Sequence, residues 1–286
     1  MKHPATLQSA VDENFKKAGW GLCLPAVLIL LLFAVFFICK GGDFRTTYTQ
    51  IQIPLFINLN QMLSSFPILE YNLTNIGNAL VGLSLLSIFL HYAPRLWGGL
   101  INASLLSLGL TALLKKIFMM PRPARVIDLA DFTILGPTLL KRSFPSGHSI
   151  TIFIFITILL LAFMPYKRSR LFRWLGYTPA LILAGAFIAL SRVACGAHWP
   201  LDVLIGSTIG YLLAIVGIKI ENRFNLWRWM ENHRFKWIVL VIVLILVALM
   251  VQKIITSTLL FIDALALLSL VATVILLTKD LCSKRI

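Results

Sequence analysis

Three short clusters of polar residues, in an otherwise apolar chain, contain the residue types that phosphate chemistry requires. Phosphoryl transfer needs donors that hold anionic oxygens, a nucleophile in line with the leaving oxygen, and a proton donor for the leaving group. All three clusters fall between positions 115 and 202. They are Lys115 with Arg122-Pro123, Pro145-Ser146-Gly147-His148, and Ser191-Arg192 with His198 and Asp202. We therefore expect phosphate chemistry wherever the fold brings these clusters together.

Five residues of these clusters are suited to holding a phosphate group. Lys115 and Arg122 bring positive charge, and Arg192 adds a planar guanidinium that can contact phosphate through two N–H groups. Ser146 and Gly147 precede a long apolar run. We expect them at the start of a helix, where free backbone N–H groups and the helix dipole attract an anion. Glycine there also permits close approach of the backbone. All five are predicted to bind phosphate.

His198 and Asp202 have the spacing of a nucleophile and the carboxylate that orients it. They lie four positions apart, and Pro200 between them suits the first turn of a helix, where its missing N–H costs nothing. Residues at this spacing share one helix face, so Asp202 can bind one imidazole nitrogen and leave the other directed at phosphorus. His148, in a different cluster, is free to protonate the leaving group. The predicted catalytic residues are His148, His198 and Asp202.

The three clusters together resemble the signature of the type-2 phosphatidic acid phosphatase superfamily, which is shared with the vanadium haloperoxidases. That signature reads Lys, six residues, Arg-Pro; then Pro-Ser-Gly-His; then Ser-Arg, five residues, His, three residues, Asp. This sequence matches it at every position. The resemblance implies a metal-independent phosphatase with a helical-bundle core and no cofactor. It also implies a phosphohistidine on His198, proton donation by His148, and phosphate contacts from Lys115, Arg122, Ser146, Gly147 and Arg192.

The composition of the chain indicates which elements position these clusters. Hydrophobic residues make up 59% of its 286 residues and charged residues 13%, against about 25% charged in soluble domains. Apolar runs of roughly the 20 residues needed to cross a bilayer predict eight spans. They are Trp20–Cys39, Leu73–Leu90, Trp97–Leu114, Ile150–Met164, Leu175–Leu190, Leu201–Ile218, Trp237–Val251 and Ile255–Leu277. The predicted fold class is all-α, a multi-pass transmembrane bundle with a six-helix phosphatase core and two extra C-terminal spans.

The net charge of +15 would suggest a nucleic-acid partner in a soluble protein, but here it fits a membrane topology better. With the N-terminus inside, most of the 26 Lys and Arg residues fall in cytoplasmic segments, as the positive-inside rule requires. Lys115, Arg122 and Arg192 are among the exceptions. We predict a cytoplasmic (inner) membrane protein with both termini cytoplasmic and the three clusters on the outer, periplasmic face. Its predicted partners are membrane lipids and a lipid phosphate, not nucleic acid, and its oligomeric state is left open.

Each site residue also has an ordinary structural explanation. Lys115 can serve as an anchor at the membrane interface, and the two arginines can contact lipid head groups nonspecifically. The His198 and Asp202 pair can close a helix start, and Ser146 can act only as a helix cap. These explanations do not account for the predicted position of five basic and imidazole groups on one side of the membrane. The five are Lys115, Arg122, His148, Arg192 and His198.

Two segments outside the clusters are also unusual. The stretch Ile51–Tyr71 alternates apolar and polar residues and contains Pro54 and Pro67, which predicts an outer segment lying partly in the interface, not a crossing. It either shapes the entrance for a head group or packs on the bundle. Asp263 is a carboxylate inside an apolar run, which makes it a functional candidate, and Lys253 lies ten residues before it.

Other polar residues give weaker signals. Cys39 and Cys195 would both lie at the outer side, where they can either pair or act as small apolar fillers. Asp128 and Asp131 lack a third ligand, and no Cys or His spacing indicates zinc, so no metal site is predicted. Three loop cations are interpreted as solvated charges, with contact to a second phosphate as the alternative: Arg125, Lys141 and Arg142.

The predicted function is an integral membrane lipid phosphatase that acts through a phosphohistidine. Candidate substrates are undecaprenyl pyrophosphate, phosphatidic acid, phosphatidylglycerol phosphate and the phosphates of lipid A, of which we favour the polyprenyl and lipid A types. A lipid phosphotransferase with the same site, or a non-enzymatic lipid-binding or transport protein, remain alternatives. The predicted domains are a cytoplasmic segment (1–19), a membrane phosphatase core (20–218), and a basic cytoplasmic segment with two extra C-terminal helices (219–286).

Overall fold

The computed structural model describes residues 7–257 and 260–283, and every regular element in this part of the chain is helical. The predicted all-α fold class is therefore confirmed. Residues 1–6, 258–259 and 284–286 lie outside the described part, and with them the start of the predicted segment 1–19 and part of the predicted span Ile255–Leu277. The helices are α1 (Leu7–Lys17), α2 (Leu24–Lys40), α3 (Phe44–Gln50), α4 (Ile53–Leu63), α5 (Pro67–Ile76), α6 (Ala79–Leu85), α7 (Phe89–Tyr92), α8 (Pro94–Phe118), α9 (Pro123–Val126), α10 (Gly147–Ala162), α11 (Arg170–Phe172), α12 (Thr178–Ala194), α13 (Pro200–Phe224), α14 (Lys236–Thr256) and α15 (Phe261–Ser283).

Six helical stretches in the described residues are long and apolar enough to cross a membrane. They are Trp20–Lys40, Pro94–Val126, Arg170–Ala194, Pro200–Phe224, His233–Thr256 and Phe261–Cys282, and α10 is a shorter apolar helix. Large apolar side chains project outward from them, with Leu32 68% exposed, Leu108 72% and Leu183 68%. Such surfaces are stable in hydrocarbon and not in water. The protein is therefore a multi-pass membrane protein, as predicted.

The predicted span Leu73–Leu90 is not one continuous helix. It is divided among α5, α6 and α7, with breaks at Gly77-Asn78 and after Leu85. Asn78 caps α6 because its side chain accepts a hydrogen bond from the backbone N–H of Leu80.

The second break leaves backbone carbonyls that an unbroken helix would satisfy internally. Side chains from elsewhere in the bundle satisfy them instead. Ser269 Oγ donates to the Leu85 carbonyl at 3.0 Å, and Trp97 Nε1 donates to the Leu86 carbonyl at 2.9 Å. The broken segment is therefore held by α8 on one side and by α15 on the other.

The last two spans have different limits from those predicted. Helix α14 continues to Thr256, so Ile255 lies in the last turn of that helix and does not begin the next one. Helix α15 begins at Phe261. Polar residues at positions 256 and 257 give the physical reason, because the hydroxyl groups of Thr256 and Ser257 bond to backbone carbonyls one turn back and compete with continuation of the helix.

Helix α10 lies at the centre of the bundle, where it packs against α8, α12 and α13. Its Ile150, Ile154 and Ile158 are almost completely buried. Helix α13 approaches α10 unusually closely, because a Cβ atom at Gly210 would lie 2.3 Å from the Ile150 carbonyl oxygen. This close packing brings the N-terminal ends of the two helices together, and the Ser146 N–H donates to the Asp202 carbonyl at 3.1 Å.

The residues after α2 form three short helices over one end of the bundle. The predicted interfacial segment Ile51–Tyr71 corresponds to α4 and the start of α5, with Pro54 and Pro67 in their first turns. Buried Asn60 fixes α4, because its Nδ2 donates to the carbonyls of Val193 and Ala194 at 3.0 Å each. The segment therefore contacts the chain just before His198. All four cysteines are free, so the alternative pairing of Cys39 with Cys195 is wrong.

Candidate active site

The carboxylate of Asp202 is the fixed point of the candidate site. Asp202 lies in the first turn of α13, is fully buried, and accepts from the backbone N–H of Trp199 at 2.9 Å. His198 directly precedes Trp199, the N-cap residue of α13, and its Nδ1 lies 3.3 Å from Asp202 Oδ2. The predicted pairing of these residues across one helical turn is present in the structure, and both side chains are almost inaccessible to solvent.

Two further hydroxyl groups bind Asp202, and the sequence did not indicate either. Tyr48, from α3, donates to Asp202 Oδ1 at 2.6 Å, and Ser143 Oγ donates to Asp202 Oδ2. Both residues are fully buried. A carboxylate with this many donors is held in one orientation, which in turn fixes the imidazole of His198. Ser143 lies three residues before Ser146 and could have been found as a neighbour of the motif, whereas no local signal identifies Tyr48.

Arg122 lies on the other side of His198, and this contact determines the tautomer of the ring. Arg122 Nη1 is 3.3 Å from His198 Nε2, and a guanidinium can only donate. Nε2 must therefore be the accepting nitrogen, with its lone pair directed toward the cations and the proton carried on Nδ1 toward Asp202. This arrangement is the one that a nucleophilic imidazole requires.

Backbone carbonyls hold the Arg122 side chain in place. Its Nε donates to the Lys141 carbonyl at 3.0 Å and its Nη1 donates to the Ala197 carbonyl at 2.8 Å. The Trp199 indole, which is fully buried, donates to the Pro121 carbonyl at 2.8 Å and ties the same loop to α13. The long loop between α8 and α10 is thus fixed where it carries Arg122.

Arg192 is a second guanidinium near the site, and not all of its N–H groups are bonded within the described residues. Its Nη1 donates to Thr74 Oγ1 in α5 at 2.7 Å. Its Nε is buried and has no hydrogen-bond partner within the described residues. A buried donor without a partner is costly, so this N–H fits a site that an anion occupies.

The three cations act on His198 together. The pKa of His198 lies well below its usual value, first because the ring is buried and then because Arg122, Arg192 and Lys115 are close. His148 is within electrostatic range of Arg192, His198, Lys115 and Arg122. Residues of all three predicted clusters therefore meet in one place.

The Pro-Ser-Gly-His cluster forms the start of α10. Ser146 is the N-cap: its hydroxyl accepts from the Ser149 N–H at 3.3 Å and from the Ser149 hydroxyl at 2.8 Å. The cap explanation of Ser146 thus holds, and its role as a phosphate ligand stays a prediction. Gly147 has room for a methyl group, because the nearest atom to an added Cβ would be a Thr111 methyl in ordinary van der Waals contact at 3.8 Å. His148 is half-buried and packs against Gly77.

The remaining loop charges lie on the surface. Arg125, Asp128, Asp131, Lys141 and Arg142 are all exposed. Asp128 accepts from the Ala130 N–H, which makes it a turn residue. Arg142 is exposed like the others, but it is close enough for its charge to act on Lys115. It therefore lies near the rim of the site.

Comparisons with known proteins agree with the motifs. Residues 96–226 match the model of the PAP2 superfamily. An undecaprenyl-diphosphatase of Sulfolobus acidocaldarius is 23% identical over 199 residues, covering 68% of this chain and 89% of that protein. A lipid A 1-phosphatase of Rhizobium etli is 32% identical over 119 residues, covering 41% of this chain and 47% of that protein.

One solved structure is also similar. The crystal structure of Aquifex aeolicus LpxE has 29% sequence identity, covers 59% of this chain and 95% of its own, and gives a TM-score of 0.48. This chain thus spans most of two of these relatives and less than half of the Rhizobium protein. The resemblance based on three motifs is confirmed: this is a multi-pass membrane protein whose residues 96–226, which carry all three motifs, match the PAP2 superfamily.

Proposed function

We propose that this protein is a membrane lipid phosphatase that removes a terminal phosphate through a phosphohistidine on His198. One observation carries the proposal: His198 Nε2 is kept as an unprotonated acceptor between the Asp202 carboxylate and a group of cations. A purely structural histidine pair has no need of three cations around its free nitrogen. A phosphate group bound to Lys115, Arg122 and Arg192 would present its phosphorus to that lone pair.

The proposed reaction has two steps. In the first, His198 Nε2 forms a bond to phosphorus while the bond from phosphorus to the lipid oxygen breaks. His148, which takes up a proton when the phosphate anion binds among the cations, gives that proton to the lipid oxygen. In the second, water attacks the phosphohistidine and gives a proton to His148 as the N–P bond breaks. Inorganic phosphate leaves and both histidines return to their starting states. The arginines and Lys115 stabilise the negative charge on the equatorial oxygens throughout.

A lipid substrate is supported by the position of the site. The site residues lie at the ends of apolar helices, where a head group can reach Arg192 and His148 while its hydrocarbon chain stays in the bilayer. The names of the relatives favour a polyprenyl diphosphate or a lipid A phosphate over phosphatidic acid. We further propose that the site faces the outer side of the cytoplasmic membrane, as the distribution of Lys and Arg suggests.

Phosphate release from purified protein tests the proposal. The protein in detergent micelles is incubated with a polyprenyl diphosphate, lipid A or phosphatidic acid, and inorganic phosphate is measured with and without EDTA. His198→Ala and His148→Ala should each lower turnover by at least about 10²-fold, and EDTA should have no effect. Retained turnover in His198→Ala would contradict a phosphatase that acts through a phosphohistidine on His198. Loss of turnover in EDTA would contradict the metal-free mechanism. Transfer of the phosphate to a second lipid without free phosphate would identify a phosphotransferase instead.

A further inference from the structure

Asp263, the unusual carboxylate of the C-terminal helices, forms a buried polar cluster at the start of α15. It is fully buried, and Lys253 from the end of α14 contacts both of its oxygens at 2.8–2.9 Å. Asn75 Nδ2 from α5 also donates to Asp263 Oδ1 at 2.6 Å. The ion pair between α14 and α15 is therefore extended to a third helix.

A second hydrogen bond joins α15 to α5. The backbone N–H of Ile262 donates to Asn72 Oδ1 at 3.0 Å. Asn72 and Asn75 lie about one turn apart on α5, so α15 grips one face of that helix at two adjacent points. Helix α5 is short and is followed by the break at Gly77-Asn78. Because it is not continued by a regular helix, its position depends on contacts of this kind.

Helix α5 is also the element that contacts two residues of the candidate active site. Thr74, next to Asn75, accepts from Arg192 Nη1 at 2.7 Å. Gly77 packs so closely on His148 that a Cβ atom there would lie 2.9 Å from the Cβ of His148. A displacement of α5 would therefore move the partner of Arg192 and the neighbour of His148 together.

Attachment of the C-terminal helices to the bundle does not require this buried charge. At the other end of α15, Asp280 forms an ion pair with Lys236 and lies 3.0 Å from His91 Nδ1 in α7. Midway along the helix, Ser87 bonds to the hydroxyls of Ser269 and Thr273 at 3.1 and 3.0 Å. A buried carboxylate in a membrane helix is expensive. Because attachment of α15 does not need this carboxylate, its contact with α5 suggests a role at that helix.

From these contacts we infer that Asp263, paired with Lys253, is a positioning residue for the active site, acting through Asn75 and Thr74 on Arg192. Asp263 touches no reacting atom itself. The inference rests on the proposed function, since it needs Arg192 to bind the phosphate. It assigns the C-terminal helices, which lie outside residues 96–226, a part in phosphate binding.

A mutant cycle tests the inference, with a polyprenyl diphosphate in detergent micelles as substrate and inorganic phosphate as competitive inhibitor. Asp263→Ala should lower kcat/KM by roughly tenfold and weaken inhibition by phosphate in parallel, as Thr74→Val should. If both act on Arg192 by the same route, the double variant should be no worse than either single variant. Asp263→Asn keeps an acceptor for Asn75 and should restore much of the activity.

Asp280→Ala is the matched control, because it removes the contacts of Asp280 with Lys236 and His91 at the opposite end of the same helix. It should leave kcat/KM within about twofold of the wild type while lowering thermal stability. Equal losses of kcat/KM in Asp263→Ala and Asp280→Ala would overturn the inference. So would additive losses when Asp263→Ala is combined with Thr74→Val. Should Asp263→Ala not fold, Asn75→Ala breaks the same link and leaves the ion pair intact. His198→Ala separates the two hypotheses, because its retained activity alone would reject the proposed function.

Discussion

Tyr48 donates a hydrogen bond of 2.6 Å to Asp202, although 154 positions separate the two residues in the chain. Since Asp202 orients His198, we expect loss of this hydroxyl to loosen the nucleophile. Tyr48→Phe should lower kcat by about 10- to 100-fold, the range that a hydrogen bond to a charged group supports. Steady-state kinetics with a lipid phosphate measures the effect.

Tyr211→Phe is the control for that variant. Tyr211 lies on the same helix as Asp202, and its hydroxyl donates to the Leu22 carbonyl at 2.9 Å, away from the site. This variant loses a comparable hydrogen bond and should keep its kcat. A similar loss of activity in both variants would mean that the tyrosines stabilise the fold only.

The pKa of His198 predicts how activity depends on pH. The neutral ring is the active form, and its pKa lies well below the usual 6.5 because of burial and then of Arg122, Arg192 and Lys115. The ring therefore stays neutral at pH 6.5, and activity is lost only as pH falls through its lower, folded-state pKa. Arg192→Met removes one of these charges, so the pKa should rise and the acid limb of kcat/KM should move to higher pH. The exposed Arg125, changed to Met, should leave it in place.

The normalised profiles must be compared on one substrate, because ionisation of the substrate phosphate then cancels between variants. An acid limb that stays in place or moves to lower pH in Arg192→Met would contradict the electrostatic coupling between Arg192 and His198.

The room for a methyl group at Gly147 predicts a variant that folds but binds phosphate poorly. A methyl group there meets no atom closer than 3.8 Å, so Gly147→Ala should keep its melting temperature. The methyl group would occupy the place where phosphate approaches the backbone, and kcat/KM should fall by about 10- to 100-fold. Full activity of this variant would show that phosphate does not bind over Gly147.

Gly206 gives the opposite outcome and serves as a comparison. An added Cβ would lie 2.7 Å from the Ser146 carbonyl oxygen, so Gly206→Ala should destabilise the protein by about 1–3 kcal/mol. Thermal unfolding in detergent distinguishes the two variants.

Cysteine labelling tests the predicted orientation. In a background without the native cysteines, Ala130→Cys places a thiol in the loop before α10, and Lys167→Cys places one in the loop after it; both positions are exposed. A membrane-impermeant maleimide should label position 130 in intact spheroplasts and label position 167 only after lysis. The reverse pattern would put the active site on the cytoplasmic face.

Local spacing explains why the sequence predicted most of the candidate site. His198 and Asp202 are one helical turn apart, and Ser146 to His148 are consecutive, so their arrangement follows from one helix start each. Tyr48 and Thr74 could not be predicted in this way. Their contacts with Asp202 and Arg192 depend on how α3 and α5 lie over the bundle, and no periodicity in those segments encodes it.

The break in the predicted span Leu73–Leu90 shows a different limit. Mean hydropathy over this stretch favours a crossing, but hydropathy does not register where a helix is interrupted. Gly77-Asn78 was the available signal, since glycine followed by a capping residue is typical of a helix end and a new start. The side chains that satisfy the break come from Trp97 and Ser269, which no local pattern connects to it.

The carbonyl of Leu85 has a consequence for what counts as an autonomous unit of this protein. Its partner is Ser269, far outside the stretch that defines the superfamily. If the chain were trimmed after α13, that oxygen would face hydrocarbon, where nothing replaces the lost donor. We therefore expect the smallest version able to insert and hold its shape to extend through α15, because a chain that ends after α13 keeps Leu85 and loses the donor of its carbonyl.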